Sequence, residues 1–167
     1  MSEDLIAAIA AQEERLVFER FDADLALEIG LDIRERVAAL GKAVVVEVRF
    51  WDRRLFWFAM PGTTANNEDW VRRKVNAVRR FHKSSYRLGR EREKTGRLLP
   101  AEFGPEAVAE CVLAGGGFPL RVRGVGCVGV VTVSGLPERQ DHEIVVEALA
   151  AALGVGVDEV ALPGAGE

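Results

Sequence analysis

The sequence is poor in the residues from which metal and redox sites are usually built. It contains two histidines and two cysteines among its 167 residues. Two histidines exclude a zinc site with three histidine ligands, and Cys111 and Cys127 form neither a C-x-x-C pair nor another metal-binding spacing. We therefore predict no metal site, and we expect both cysteines to serve as small buried apolar residues.

A long hydrophobic run is also missing. No apolar stretch approaches the roughly 20 residues that span a bilayer, and the first residues, MSEDLIAAIAAQEER, are acidic where an export signal would be basic. These two absences predict a cytoplasmic protein without a membrane segment. Hydrophobic residues make up 49% of the chain, which is enough for one compact domain over residues 1–167 with its own core.

Positive charge is concentrated in one segment. Between Val71 and Arg97 the sequence has eleven basic residues and two acidic ones, whereas the remainder has eleven basic and 24 acidic residues. A domain with this distribution presents a basic face and an acidic face. The basic face could attract a phosphate or carboxylate ligand, or it could dock on the acidic face of another subunit. Nucleic acid is disfavoured because the rest of the chain is acidic and no RNA-binding signature is present.

Hydrophobic periodicity and turn residues predict an α+β fold. Segments with apolar residues at helical spacing alternate with period-two segments, and turns containing glycine or proline separate them. The predicted elements are N-terminal helices over 3–40, a β-hairpin over 43–60, a basic helical segment over 66–94, glycine-rich strands over 111–133 and a last helix over 137–153. Two meanders separated by helices form an antiparallel sheet of about five strands flanked by helices.

The stretch from Gly124 to Gly129 contains a literal G-x-G-x-x-G string. A dinucleotide site needs a helix that opens at the last glycine, so that the helix N-terminus meets the pyrophosphate. Here Val-Val-Thr-Val follows Gly129, which is the pattern of a strand. We therefore interpret the string as part of a hairpin in which Gly129 leaves space for a facing side chain or backbone.

A second group of small and ionisable residues lies where a strand should give way to the last helix. Ser134 and Gly135 mark the junction, and free backbone N–H groups at such a junction can point at a ligand. Asp141 and His142 follow in the first turns of the helix. Adjacent helical residues point about 100° apart, so that Asp141 cannot orient His142 as a catalytic residue within this helix. A serine hydrolase is disfavoured because no G-x-S-x-G elbow is present. A turn or capping role for Ser134 is the simpler alternative, and a surface or hydrogen-bonded role is the simpler one for His142.

Three stretches, NNEDWVRRKVNAVRRFHKSS, GGGFPLRVRG and GVVTVSGLPERQDHEIVVEAL, resemble an uncharacterised bacterial and fungal family that is grouped with the haem-degrading HbpS/GlcG-like proteins. The resemblance runs from the second predicted helix to the last. It implies a profilin-like α/β/α sandwich that assembles into dimers or higher homo-oligomers. It also implies a link to haem binding or degradation, with haem as the possible cofactor.

These observations lead to two hypotheses. In the first, a cytosolic homo-oligomer binds a small anionic or haem-like ligand near the start of the last helix. Lys74 then supplies positive charge, Trp70 and Phe118 form an apolar wall, and His142 is a polar contact or an iron ligand. The predicted ligand-binding residues are Trp70, Lys74, Phe118, Ser134, Gly135, Asp141 and His142. In the second hypothesis, the protein is a non-catalytic assembly or interaction module, and the same residues form subunit contacts.

Overall fold

The computed structural model describes residues 2–93 and 96–164, so that Lys94, the expected end of the basic helical segment, lies outside the described residues. The helices are α1 Ser2–Arg15, α2 Ala23–Ala39, α3 Ala65–Phe81, α4 Ser85–Glu91, α5 Pro105–Glu110 and α6 Glu138–Leu153. The strands are β1 Val17–Phe18, β2 Val45–Phe50, β3 Arg54–Ala59, β4 Gly117–Val122 and β5 Gly126–Ser134. In the part of the chain that the structure describes, no helix has both the length and the apolar character needed to cross a membrane.

The five strands form one sheet in the order β1-β4-β5-β2-β3. The pairs β4–β5, β5–β2 and β2–β3 are antiparallel, whereas β1 runs parallel to β4. The predicted α+β class and the number of strands are therefore confirmed, and the sheet is mixed. The parallel strand β1 was not predicted, because a strand of two residues is too short to show a period.

Helices cover both faces of the sheet. On one face, alternate residues such as Val46, Val131 and Val133 join the main core, which α2 and α6 cover. On the other face, Val45 and Val130 pack with apolar residues of α3. The alternation follows from the period of two in a strand, which sends neighbouring side chains to opposite faces. The result is a three-layer arrangement of helix, sheet and helix.

Two predicted elements differ from the structure. The stretch 111–114 was expected to be a strand, but it lies outside the sheet. Its backbone is satisfied elsewhere, since the N–H of Val112 donates to the carbonyl of Arg73 and that of Leu113 to the carbonyl of Arg97. The basic helical segment is two helices, because α3 ends at His82 with a left-handed φ of 53° and Ser84 caps α4 by accepting a hydrogen bond from the N–H of Arg87.

Candidate functional site

A cleft of about 230 Å³ opens at the end of the sheet where β5 leads into α6. Its opposite wall is the start of α3. Helices from both layers of the fold therefore contribute side chains to it, because α3 and α6 cover opposite faces of the sheet. The residues lining the cleft are Asn66, Asn67, Trp70, Lys74, Arg97, Ala114, Ser134, Gly135, Leu136, Pro137, Glu138 and Asp141.

A buried ion pair forms the base of the cleft. Lys74 Nζ donates to Asp141 Oδ2 at 3.1 Å and to the carbonyl oxygen of Val133 at 2.9 Å. The two side chains are 2% and 3% exposed, so that water contributes almost nothing to their solvation. Since Lys74 belongs to α3 and Asp141 to α6, the pair joins the two helical layers around the end of the sheet.

Asp141 also closes the turn between β5 and α6. Its Oδ1 accepts a hydrogen bond from the N–H of Leu136 at 3.0 Å, and its Oδ2 accepts one from the N–H of Gly135 at 3.4 Å. The free backbone N–H groups that the sequence predicted at this junction are therefore bonded to the protein's own carboxylate. Gly135 has a φ of 151°, and a Cβ there would lie 2.5 Å from the carbonyl oxygen of Ala43, so that the turn requires glycine.

Burial shifts the pKa value of each partner of the ion pair in the direction that favours its uncharged form. Burial raises the pKa of Asp141 to about 6, although the Lys74 ammonium and the N–H of Leu136 act in the opposite direction. Burial likewise lowers the pKa of Lys74, and the charge of Asp141 opposes this change. Perturbed titratable groups in a cleft are typical of functional sites, and they also occur in structural ion pairs.

An aromatic ring and a second cation lie above the ion pair. The guanidinium carbon of Arg97 is 5.5 Å from the centroid of the Trp70 ring, and Lys74 Nζ is 6.0 Å from the same ring. Arg97 is exposed at the mouth of the cleft. The acidic residue nearby, Glu138, forms an ion pair with Arg90 at 3.0 Å. Because Lys74 is paired with Asp141 and Glu138 is paired with Arg90, the guanidinium of Arg97 is the cation in the cleft that is best placed to meet a ligand.

Five of the seven predicted ligand-binding residues lie together. The cleft contains Trp70, Lys74, Ser134, Gly135 and Asp141. Proximity along the sequence located the last three, because the end of β5, the following turn and the start of α6 all lie within residues 134–141. Trp70 and Lys74 come from a distant segment and are brought to the cleft by the packing of α3 on the sheet.

The structure places the other two predicted residues, Phe118 and His142, away from the cleft. Phe118 is buried in the main core, so that the apolar wall expected of it is provided by Trp70 and neighbouring lining residues. His142 is 1% exposed and packs between the rings of Phe118 and Tyr86, at centroid distances of 5.8 and 5.0 Å. The step of about 100° between neighbouring helical residues separates it from Asp141.

His142 is held as a neutral imidazole. Burial lowers its pKa to about 3. Gln12 Nε2 donates to the carbonyl oxygen of Val160 at 2.6 Å, which turns Gln12 Oε1 toward His142 Nε2 at 2.7 Å. His142 Nε2 therefore carries the proton and donates it, whereas Nδ1 has no hydrogen-bond partner among the described residues.

Sequence reasoning did not place Arg97 or Gly116 at the ligand site. Arg97 lies in a loop without periodicity, and no pattern connected it with Trp70. Gly116 has a φ of 134°, and a Cβ there would lie 2.2 Å from the carbonyl oxygen of Val133 and 2.8 Å from Lys74 Nζ. The ion pair therefore has room only because residue 116 is a glycine and has no side chain.

The described residues show no cluster of ligands for a metal ion. In residues 2–93 and 96–164, no group of three histidine, cysteine, aspartate or glutamate side chains could hold one. Both cysteines are free: Cys111 is buried, as expected, whereas Cys127 is partly exposed. Burial raises the pKa values of both thiols, which keeps them protonated and unreactive near neutral pH.

The fold and the cleft define an α+β protein with a mixed sheet between helical layers and a polar cleft at the sheet end. A family model described as haem degrading protein HbpS-like matches residues 21–150, and the chain belongs to this family. A UPF0303 protein of Mesorhizobium japonicum is 50% identical over 152 residues, which cover 91% of this chain and 90% of that protein. A UPF0303 protein of Brucella abortus is 44% identical over 160 residues, covering 96% and 94%.

Solved structures with the same fold include two that cover most of the chain. The crystal structure of the Ybr137w protein matches with a TM-score of 0.76 and 26% identity, over 87% of this chain and 86% of that one. A structure described as a PduOC:heme complex matches with a TM-score of 0.67 and 20% identity, over 82% of this chain and 97% of that one. At 20% identity the second likeness shows the fold alone.

Proposed function

We propose that the protein binds a small anionic or haem-like ligand, and that the cleft receives the carboxylate end of this ligand. The observation that carries the proposal is the exposed Arg97 guanidinium lying over Trp70 at the mouth of the cleft. A guanidinium recognises a carboxylate through two parallel hydrogen bonds. The flat indole ring offers an apolar surface to the rest of the ligand.

Haem is named in the family description, and its two propionate groups are carboxylates of the kind that the cleft is proposed to receive. The cleft fits these groups better than it fits the iron. Histidine, cysteine, methionine and tyrosine are the side chains that hold haem iron in proteins, and none of them is among the described residues that line the cleft. The proposal therefore concerns binding through the acidic groups, and it assigns no axial ligand.

The size of the cleft sets how much of the ligand it can cover. Pockets that enclose a drug-sized ligand have volumes of about 300–1,000 Å³, whereas this cleft has about 230 Å³. A porphyrin would consequently project from the cleft and lie against Trp70 or against a neighbouring subunit. A small carboxylate would fit inside.

Titration of the purified protein with haemin, followed through the Soret band, tests the proposal. We expect Arg97→Gln to weaken binding at least tenfold, since a hydrogen bond to a charged group contributes about 1.5–3 kcal/mol. Haemin dimethyl ester, in which the carboxylates are blocked, should bind the wild type as weakly as haemin binds the variant. Equal affinities for haemin and its diester would contradict recognition through the acidic groups.

Two control variants separate the cleft from other effects. Arg34→Gln removes an exposed arginine that lies over the Phe58 ring at 5.3 Å and does not line the cleft, and it should leave the titration unchanged. His142→Gln should also leave it unchanged, because His142 is buried outside the cleft. A lost Soret shift in His142→Gln, with the fold intact by circular dichroism, would instead favour iron ligation by this histidine.

The ligand-binding protein is proposed to be a cytosolic homo-oligomer. The separation of basic and acidic residues along the sequence supports the assembly. The alternative, an assembly module whose signature residues form subunit contacts, is less well supported, because Lys74, Phe118, Asp141 and His142 are 1–2% exposed within one chain. Light scattering measures the assembly directly, and a monomeric mass would contradict it.

A further inference from the structure

A second polar cavity lies on the other side of α3 and shares no lining residue with the cleft. This arginine groove has a volume of about 470 Å³ and runs between the β2–β3 hairpin and α3. Four arginines line it, together with the acidic residues Glu47, Glu68 and Asp69. Its arginines are Arg49, Arg54, Arg72 and Arg79.

Two of the four arginines are already engaged by the protein. Arg72 forms ion pairs with Asp69, at 2.8 Å, and with Glu110. Arg49 Nη1 donates to Glu47 Oε1 at 3.2 Å, and its other nitrogens donate to backbone carbonyl oxygens. The carboxylate of Glu47 is only 4% exposed, so that these contacts satisfy a buried charge.

The other two arginines keep most of their donors available. Arg79 is exposed, and its one described hydrogen bond is a 3.4 Å contact from Nη2 to the carbonyl oxygen of Trp51. Arg54 is 48% exposed and lies 3.5 Å from Glu47 Oε2, which is a long ion pair. Because the two residues come from α3 and from β3, their guanidinium groups approach the groove from opposite walls.

Tryptophan rings hold both of these guanidinium groups in place. The guanidinium carbon of Arg79 is 5.4 Å from the Trp51 ring centroid, and that of Arg54 is 5.5 Å from the Trp57 ring centroid. Stacking on an aromatic face restricts the side chain without using its N–H groups, which point away in the plane of the guanidinium. Less side-chain entropy is then lost when a ligand binds.

We propose that the arginine groove binds a phosphate group between Arg54 and Arg79. A tetrahedral dianion presents oxygen atoms in several directions, so that it can accept hydrogen bonds from guanidinium groups on two opposing walls, whereas a planar carboxylate is matched to one. The shared ligand chemistry is a phosphate dianion, either free or as the monoester of a small molecule. This site is independent of the proposed haem-like ligand.

The three tryptophans of the chain make the test specific. Trp70 lines the cleft, whereas Trp51 and Trp57 lie against two arginines of the groove, so that the three indole N–H signals of a ¹⁵N-labelled sample report on the two sites separately. Titration with inorganic phosphate at constant ionic strength is expected to shift the signals of Trp51 and Trp57 in a saturable manner. The signal of Trp70 should stay in place.

Arg79→Gln is the principal variant, because it breaks no ion pair in the part of the chain that the structure describes. It should weaken phosphate binding about tenfold. Arg80→Gln is the matched control, since this neighbouring arginine also lies over an aromatic ring, that of Phe103 at 5.6 Å, but does not line the groove. Arg97→Gln should bind phosphate like the wild type, which separates this site from the cleft.

Several outcomes would overturn the proposal. These are shifts that grow linearly without saturation, a shift of Trp70 in place of Trp51 and Trp57, or equal affinities of Arg79→Gln and wild type. A parallel titration with glycerol 3-phosphate distinguishes the two sources of the ligand. Tighter binding of the ester identifies a phosphate monoester as the ligand, and binding of inorganic phosphate alone identifies the free ion.

Discussion

At the scale of single residues, His142 shows how burial decides the chemistry of a side chain. It lies between two aromatic rings and one amide, and its pKa is about 3 in the folded protein. An imidazole with so low a pKa is neutral at physiological pH, where it donates one hydrogen bond. Its role in the described structure is to fasten α6 to Gln12 of α1.

The pH dependence of stability should reveal this buried histidine. The unfolded chain binds a proton at His142 below about pH 6.5, whereas the folded protein does not until about pH 3. The contribution to the free energy of unfolding is therefore fully present above pH 6.5 and falls by about 1.4 kcal/mol per pH unit as the pH decreases. We expect the stability advantage of the wild type over His142→Gln to shrink at this rate, as measured by urea unfolding at several pH values.

The comparison with a variant is needed because Asp141 acts in the opposite direction. Its raised pKa of about 6 contributes stability that is present below the ordinary value of 3.8 and lost as the pH rises through 6. In the wild type, the contributions of His142 and Asp141 to the pH dependence of stability therefore cancel in part between pH 3.8 and about pH 6. A difference between wild type and His142→Gln that does not change with pH would show that His142 does not stay neutral in the folded protein.

Single buried charges were the residues most difficult to predict. Lys74 follows Val71 by three residues and precedes Val78 by four, so that it occupies a position of the apolar stripe of α3. A lysine in such a stripe is a signal for a buried partner, but the sequence does not identify Asp141, which lies 67 residues away. Glu47 likewise interrupts a run of valines in β2, and only the packing of α3 shows that it is buried.

At the scale of secondary-structure elements, local signals predicted the long helices well. Asp22 and Asp24 are both candidate N-caps of α2 in the sequence, and in the structure the side chain of Asp22 accepts a hydrogen bond from the N–H of Leu25 at 2.9 Å. The short elements β1 and α5 were missed, because two and six residues carry too little periodicity. Their positions depend on partners distant in the sequence, such as β4 for β1.

The segment that leads into β4 depends on glycine. Gly116→Ala should lower the free energy of unfolding by more than about 3 kcal/mol, since a Cβ would lie 2.2 Å from the carbonyl oxygen of Val133 and would press on Lys74 Nζ. Gly124→Ala is the matched control: φ there is also positive, at 75°, but no atom lies within 4 Å of the added Cβ. It should cost only the strain of about 1–2 kcal/mol.

Urea unfolding of the two glycine variants measures this difference. Equal losses of stability would mean that the positive φ alone explains why glycine is needed at position 116. The close approach of Gly116 to the ion pair would then make no contribution to the free energy of unfolding. The haemin titration of Gly124→Ala should match the wild type, because this turn lies outside the cleft.

At the scale of the whole molecule, the Lys74–Asp141 pair connects the two helical layers. Removing one partner of a buried pair typically costs about 3–5 kcal/mol, because the remaining charge has no compensation. We expect Lys74→Met and Asp141→Asn each to destabilise the protein by an amount of this order. The double variant should lose less than the sum of the two single losses, with a coupling of about 1–3 kcal/mol.

A double-mutant cycle by urea unfolding tests this coupling. Additive losses would show that the two side chains stabilise the protein independently, Asp141 through the turn at Gly135 and Leu136 and Lys74 through the carbonyl of Val133. The folded state of each variant is checked by the tryptophan fluorescence spectrum, since Trp70 lies beside Lys74.

The order of the strands leaves the sheet with two unlike edges. At one edge, the two residues of β1 cover the end of β4. At the other edge lies β3, a six-residue strand in which Arg54 is followed by five apolar residues, and no strand among the described residues pairs with its outer side. An outer strand presents a row of unpaired N–H and C=O groups. Among the described strands, β3 therefore offers the longest outer edge that a further strand, from a copy of this chain or from another protein, could pair with.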